Sequence, residues 1–282
     1  MKGLTKFMII FASILIFIGI SFFAIGMVSL NWNFDKLSTA KYVTNTHDIH
    51  GDFSNISLKT TTADILFAPS DTGICKVVCK EKAKKPHSVS IENNTLTIKE
   101  NNNKKWYDNI GIMISDHPEI TVYLPKDTYS LLNIILTTGD VSLSDLTLDE
   151  LTLSTTTGDI SLSNISTLEL NQSVSTGTTN LTGITCRNLV STGTTGKINL
   201  TNVRTTGLLS VKRSTGNIHL ASCDGSDIKL KTTTGSVKGT LLSEKIFKAH
   251  STTGSVSVPD THTGGICDIS VTTGAIKIEI AK

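Results

Sequence analysis

The chain predicts an all-β fold: a β-solenoid, parallel β-helix-like, of coils about 19 residues long, preceded by an N-terminal transmembrane helix and a β-rich cap. Three observations carry this. A Thr-Gly step recurs at Gly139, Gly158, Gly177, Gly196, Gly216, Gly235, Gly254 and Gly274, with gaps of 19, 19, 19, 20, 19, 19 and 20 residues. Two almost wholly aliphatic columns follow the glycines, two residues on (Val141, Ile160, Ile198, Ile218, with Thr179 the exception) and four residues on (Leu143, Leu162, Leu181, Leu200, with Gly239 the exception), with polar residues between them. That alternation is the period of a strand with one buried face, and it excludes a helix. Finally, the run from Phe7 to Leu30 carries no charge.

From the amino terminus, residues 1–6 read as a short cytoplasmic tail and 7–30 as a membrane span, long enough to cross a hydrocarbon core of about 30 Å. A cleaved signal peptide is the rival reading, since Ala24-Ile25-Gly26 loosely fits a small-x-small site. The length of the apolar run favours an uncleaved anchor, with the remainder of the chain outside the cell membrane as a single-pass protein. Residues 31–45 read as a stalk.

Residues 46–135 read as a β-rich cap and the start of the solenoid. Thr61-Thr62-Ala63-Asp64-Ile65 repeats the key phrase with Ala63 in the glycine position. The 19-residue period then lapses between Cys75 and Leu124, where Asn93-Asn94 joins two alternating runs and signals a hairpin.

Residues 136–282 read as the solenoid repeats. A tight corner that needs positive φ explains the glycine. Further apolar columns are expected seven residues after it (Leu146, Ile165, Ile184, Val203, Cys223, Leu242) and twelve after it (Leu151, Leu170, Leu189, Leu208, Ile228, Phe247, Ile266). One coil cannot close a core, so each must pair with the coil before and the coil after. The threonines before each glycine would stack as a ladder.

Composition bounds the function. A net charge of +2 and 5% aromatic residues argue against a nucleic-acid partner. Five cysteines, with Cys75 and Cys79 four apart on one strand, read as buried thiols. No nucleophile motif, phosphate loop or dinucleotide fingerprint is present, so no catalytic residue and no cofactor are assigned. Down the position after the glycine, Asp140 and Asp159 give way to neutral or basic residues, which is not a calcium ladder. His47 and His50 beside Asp48 and Asp52 suit a solvated strand entry better than a metal site. Lys80, Lys82, Lys84, Lys85, Lys104 and Lys105 form a basic cluster that either keeps an edge soluble or contacts an anionic ligand.

The apolar anchor, Thr61-Thr62-Ala63-Asp64-Ile65, the Trp106-Tyr107-Asp108 segment, Ile120-Thr121-Val122-Tyr123-Leu124-Pro125 and the serial Thr-Gly-Asp coils together resemble the bacterial DUF4097 family of adhesin-like proteins. The resemblance implies an extracytoplasmic β-solenoid, often membrane-anchored, with no catalytic residues to carry over. The function expected is a non-catalytic binding, adhesion or structural module at the cell envelope. Its partner would be a cell-wall polymer, an anionic lipid or a membrane protein. The alternative is an accessory of envelope-stress signalling that contacts a membrane partner. Ice binding by the threonines is disfavoured, because they sit at the corner and not along a flat face.

Overall fold

A computed structural model describes residues 3–33, 42–83, 85–101 and 117–281. The chain divides into two compact units, one holding the N-terminal helix and the other the β-structure from Val43 onward apart from residues 82–84 and 103–116.

The first unit contains α1 (Gly3–Ser29), a 27-residue helix long and apolar enough to cross a membrane. Its three serines are satisfied within the helix: Ser13 and Ser21 each donate to the carbonyl four residues back, at 2.8 Å, and Ser29 to that of Gly26 at 2.7 Å. A span needs this, because the hydrocarbon offers no partner.

The second unit is the solenoid. Its long parallel ladder runs β8 (Thr128–Thr138), β9 (Val141–Thr157), β10 (Ile160–Thr176), β12 (Thr185–Thr195), β14 (Arg204–Thr215) and β15 (Ile218–Thr234). A second parallel face forms from the segments after each glycine: the starts of β9 and β10, β11 (Thr179–Thr182), β13 (Ile198–Thr201), the start of β15, and β16 (Val237–Leu241). Between them lies a continuous core of Ile, Leu and Val, with Ile160, Leu162, Ile198 and Leu200 at 0–1% exposure.

The glycine column has two physical causes. Gly158 has φ of 145°, which a side chain rarely adopts, and a Cβ there would lie 1.9 Å from the carbonyl oxygen of Gly139 in the adjacent coil. The corners of successive coils therefore stack backbone on backbone.

Two expected columns are off by one in particular coils. In the coil from Gly196 to Gly216 the core residue is Leu209, not Leu208, which is 36% exposed; in the coil from Gly254 to Gly274 it is Cys267, not Ile266. These are the two 20-residue coils. In the first of them the extra residue forms a bulge between Thr205 and Leu208, shifting everything after it by one. A similar irregularity puts Leu241 opposite Cys223, so Leu242 is only half-buried.

The ends depart from simple order. β2 (Asn55–Thr62) and β3 (Asp64–Pro69) stack directly on β8 and β9, while β6 (Thr95–Glu100) and β7 (Glu119–Leu124), which intervene in sequence, pair on their other side. At the far end, β19 (Ile266–Thr273) and β20 (Ile276–Ile280) insert between β15/β16 and the coil of β17 (Ile246–Thr253) and β18 (Val256–Ser257). The last strand is thus internal to the stack. β4 (Cys75–Lys82) runs antiparallel to β7, and β5 (His87–Glu92) antiparallel to β6 through Asn93 and Asn94, both at positive φ as a tight hairpin turn requires. β1 (Tyr42–Ile49), which begins inside the stretch read as a stalk, pairs with β4.

Candidate functional site

The most regular surface of the solenoid is a ridge of hydroxyls at the glycine corner. Thr62, Thr138, Thr157, Thr176, Thr195, Thr215, Thr234, Thr273 and Thr253 stand in register in that spatial order, and all are exposed. The residue before each, from Thr61 to Thr252, is also a threonine or serine and also exposed. Two hydroxyl columns therefore run side by side along the stack, with rungs spaced by about 4.8 Å.

The position after the glycine is where the acids of the Thr-Gly-Asp phrase fall, and their first role is structural. Asp64 Oδ1 accepts the backbone N–H of Asp140 at 2.9 Å, Asp140 that of Asp159 at 2.7 Å, and Asp159 that of Thr178 at 2.7 Å. Asn217 does the same for Ser236 at 2.8 Å. Each side chain ties its own coil to the next.

The chemistry-bearing side chains that converge most tightly are buried in the N-terminal cap. The ligand atoms of Cys79, Glu81 and His87 lie within 4.8 Å of one another. The His87 ring Nδ1 donates to Glu81 Oε2 at 2.6 Å, and its Nε2 meets the Thr60 hydroxyl at 3.0 Å. Hydroxyl, imidazole and carboxylate thus stand in the order of a nucleophile, its base and an orienting acid. The environment is wrong for that work. Thr60, Glu81 and His87 are all buried. Glu81 also accepts from the His87 backbone N–H at 2.6 Å and from Asn45 at 2.5 Å, so its oxygens are already satisfied. Burial, with the Glu81 carboxylate beside it, pushes the Cys79 thiol up to about 12, so it is not a ready nucleophile near neutral pH. The cluster is a satisfied core network, missed in the sequence because its members lie on three strands.

Two open clefts are lined by other residues of the cap and, in one case, of β9. One, of about 610 Å³, is lined by His50, Asp52, Cys75, Asp127 and Tyr129; another, of about 430 Å³, shares Asp127 and adds Lys126 and Asp145. Tyr129 stacks on Phe53 at 5.9 Å and donates to the Pro125 carbonyl at 3.1 Å, and burial pushes its pKa up to about 12. Among the described residues, the acids and His50 of these clefts do not gather into a set of three within ligand distance.

Of the predicted basic cluster, Lys80, Lys82 and Lys85 are half-buried and each has an interaction partner in the fold. Lys84, Lys104 and Lys105 lie outside the described residues, as does the Trp106-Tyr107-Asp108 segment. Sequence reasoning missed a second basic group. Lys212 and Lys231 stand directly opposite each other on β14 and β15, both exposed. Writing the chain in 19-residue rows would have shown them as neighbours.

A second feature absent from the sequence reading is Arg213, whose side chain is inside the core at 1% exposure. It donates to the Thr179 and Ser191 hydroxyls at 3.2 and 3.1 Å and to the Lys212 carbonyl at 3.0 Å, while its Nε finds no partner. Burial draws its pKa down to about 10.

Residues 53–281 match the Toastrack DUF4097 family. The chain belongs to that family. No curated protein is similar enough to this chain to be matched with it. Among solved structures, this Toastrack chain is similar to a protein of Bacteroides fragilis described as a "putative adhesin", at 15% identity, over 85% of this chain and 97% of that one, with a TM-score of 0.44. It is also similar to a "putative lipid binding protein" of Parabacteroides distasonis, at 16% identity, over 86% and 98% of the two chains, with a TM-score of 0.37.

Proposed function

We propose that this Toastrack protein is a non-catalytic binding or adhesion module held at the cell envelope by α1, with its solenoid outside the membrane. The observation that carries this is the hydroxyl ridge. Nine rungs in register repeat one chemical motif along roughly 40 Å, on a stack whose corners are locked backbone on backbone. A repeating rigid surface matches a repeating ligand, such as a wall polymer, and little ordering entropy is lost when it binds. Among the described residues, the one group of three His, Cys, Asp or Glu side chains within ligand distance, Cys79, Glu81 and His87, has its Glu81 and His87 engaged in hydrogen bonds of the fold. Under this reading the cap lysines Lys80, Lys82, Lys84, Lys85, Lys104 and Lys105 are a contact to anionic headgroups or wall polymer.

The test is co-sedimentation of the full-length protein, in detergent micelles, with purified wall material and with membrane vesicles, using the heat-unfolded protein as control. Retention by an envelope fraction is expected, weakened by high salt and by changing the cap lysines to glutamine if they take part. Failure to bind any envelope fraction, or turnover of a glycan, overturns the reading. Topology is checked by adding protease to intact protoplasts, which should remove the solenoid and leave a membrane-bound stub.

A further inference from the structure

The two halves of the solenoid carry opposite charge. Residues 136–196 hold six acids and one base, whereas residues 197–281 hold ten bases and six acids. Part of the change lies along the hydroxyl ridge. In the N-terminal rungs the ridge is bordered by Asp64, Asp140 and Asp159, stacked one above another and exposed. From Lys197 onward the same border position holds no acid (Lys197, Asn217, Ser236, Ala275 and Ser255), and Lys238 stands three residues past Gly235. On the opposite border Lys212 and Lys231 stand two residues before Ser214 and Thr233, with both side chains outward.

Lys231 has Lys212 on one side and Ser270 on the other, with no acid in register. Like charges directly opposite on neighbouring strands weaken a sheet, so folding alone does not favour the pair. The acids nearest this border are Asp268, in register between Lys229 and Lys248, and Asp227, which accepts the Ile266 N–H at 3.1 Å. On the other border Lys277 flanks Lys238 and is paired to Glu279 at 2.9 Å.

We infer that the C-terminal half of the ridge is the binding site for an anionic polyol polymer, with phosphodiester charges drawn to the flanking lysines and polymer hydroxyls meeting the threonine columns. The inference deepens the binding-module reading and rests on it. A second copy of this chain fits the site less well. On the lysine face, the in-register positions of earlier coils are Ser154, Ser173 and Thr192, so an antiparallel partner would offer hydroxyls and not acids. The three stacked aspartates make the N-terminal half repel the same polymer, which fixes where along the stack it lies.

The experiment measures binding of the full-length protein in detergent to poly(glycerol phosphate). Glycerol 3-phosphate is the monomer control, dextran the neutral-polymer control, and vesicles containing anionic lipid the alternative surface. Lys212→Gln with Lys231→Gln should weaken polymer binding about tenfold. Asp140→Asn with Asp159→Asn should tighten it several-fold, because Asn keeps the inter-coil cap, as Asn217 already does, and removes the charge. A purely structural role for these residues moves neither value in that direction. Binding that ignores both pairs of variants, equal binding to dextran, or binding to vesicles alone overturns the inference. The last two results leave an envelope-binding protein standing, whereas silence in every arm removes that reading as well.

Discussion

Gly193 and Arg213 offer the sharpest test of how the core is assembled. They are adjacent in one inward column, whose other members are Thr60, Leu136, Thr155, Val174, Thr232, Val271 and Ser251. Arg213 and Gly193 are the exceptions, the largest and the smallest residue of the column. The exceptions compensate each other, because a Cβ at residue 193 would lie 2.9 Å from three atoms of the Arg213 guanidine group. Gly193 lies in β12 outside the positive-φ region, so its absent side chain is a matter of space and not of backbone.

Gly193→Thr alone should therefore overpack the core at a cost of about 1–3 kcal/mol. Arg213→Val alone removes a buried cation that has no acid partner, a relief of several kcal/mol, and leaves a void beside Gly193. A void of roughly 50 Å³ costs about 1 kcal/mol. Thr179 and Ser191 keep a partner in Gln172, so neither hydroxyl is stranded. The single Arg variant should thus lie near or above the parent. The double variant restores the column and should be the more stable of the two, with a coupling of about 2 kcal/mol between the sites. Urea unfolding of the four proteins, followed by circular dichroism in the same detergent, measures the cycle. Effects that add to within about 0.5 kcal/mol would refute the idea that the guanidinium occupies the space left at residue 193.

Ile198→Asp should destabilise by several kcal/mol, since Ile198 is fully buried, while Asn199→Asp loses only the 2.8 Å bond to Asn180 and should cost about 1 kcal/mol; equal thermal melts would reverse the facing of that strand. All five cysteines are buried thiols, and burial pushes Cys75, Cys186 and Cys267 up to about 12, so a thiol reagent near neutral pH should label the folded protein negligibly and the unfolded protein at five sites. Deleting residues 266–281 should loosen far more than a chain end, because it strips β17 and β18 of their partners; limited proteolysis should then cut within residues 246–257, and an intact 246–257 segment would contradict the inserted strand order.

Much of the fold was legible because one local constraint is repeated. A glycine that must stack on another glycine's carbonyl cannot drift, so Gly139 to Gly235 print the coil length directly into the sequence. The aliphatic alternation then assigns faces with little ambiguity, since a one-residue slip would turn every Ile and Leu outward. The errors at Leu208 and Leu242 come from bulges, and that at Ile266 from one extra residue earlier in its 20-residue coil, changes that alter the count without altering the composition. The exchange of coils at the two ends left no trace, because the phrase around Gly254 and the phrase around Gly274 are interchangeable as pairing partners. Either could sit next to Gly235, and only packing beyond the repeat selects Gly274. The Glu81–His87 network and Arg213 were illegible for a different reason: each depends on contacts across strands that no period predicts.

The charges along the ridge are where folding and function separate. At the position after the glycine the fold can use an acceptor for the next coil's N–H, and Asp64, Asp140 and Asp159 provide it. Asn217 provides it without charge, Ser236 through its hydroxyl to Ala275 at 3.3 Å, and Lys197 and Ala275 hold the same position with no carboxyl or amide oxygen to offer. Stability therefore tolerates either sign there. Yet acids occupy successive rungs at one end, and bases gather on both borders at the other. A property that the fold leaves free, and that still segregates along the one repeating exposed surface, is the property through which such a surface would choose its ligand and the direction in which that ligand lies.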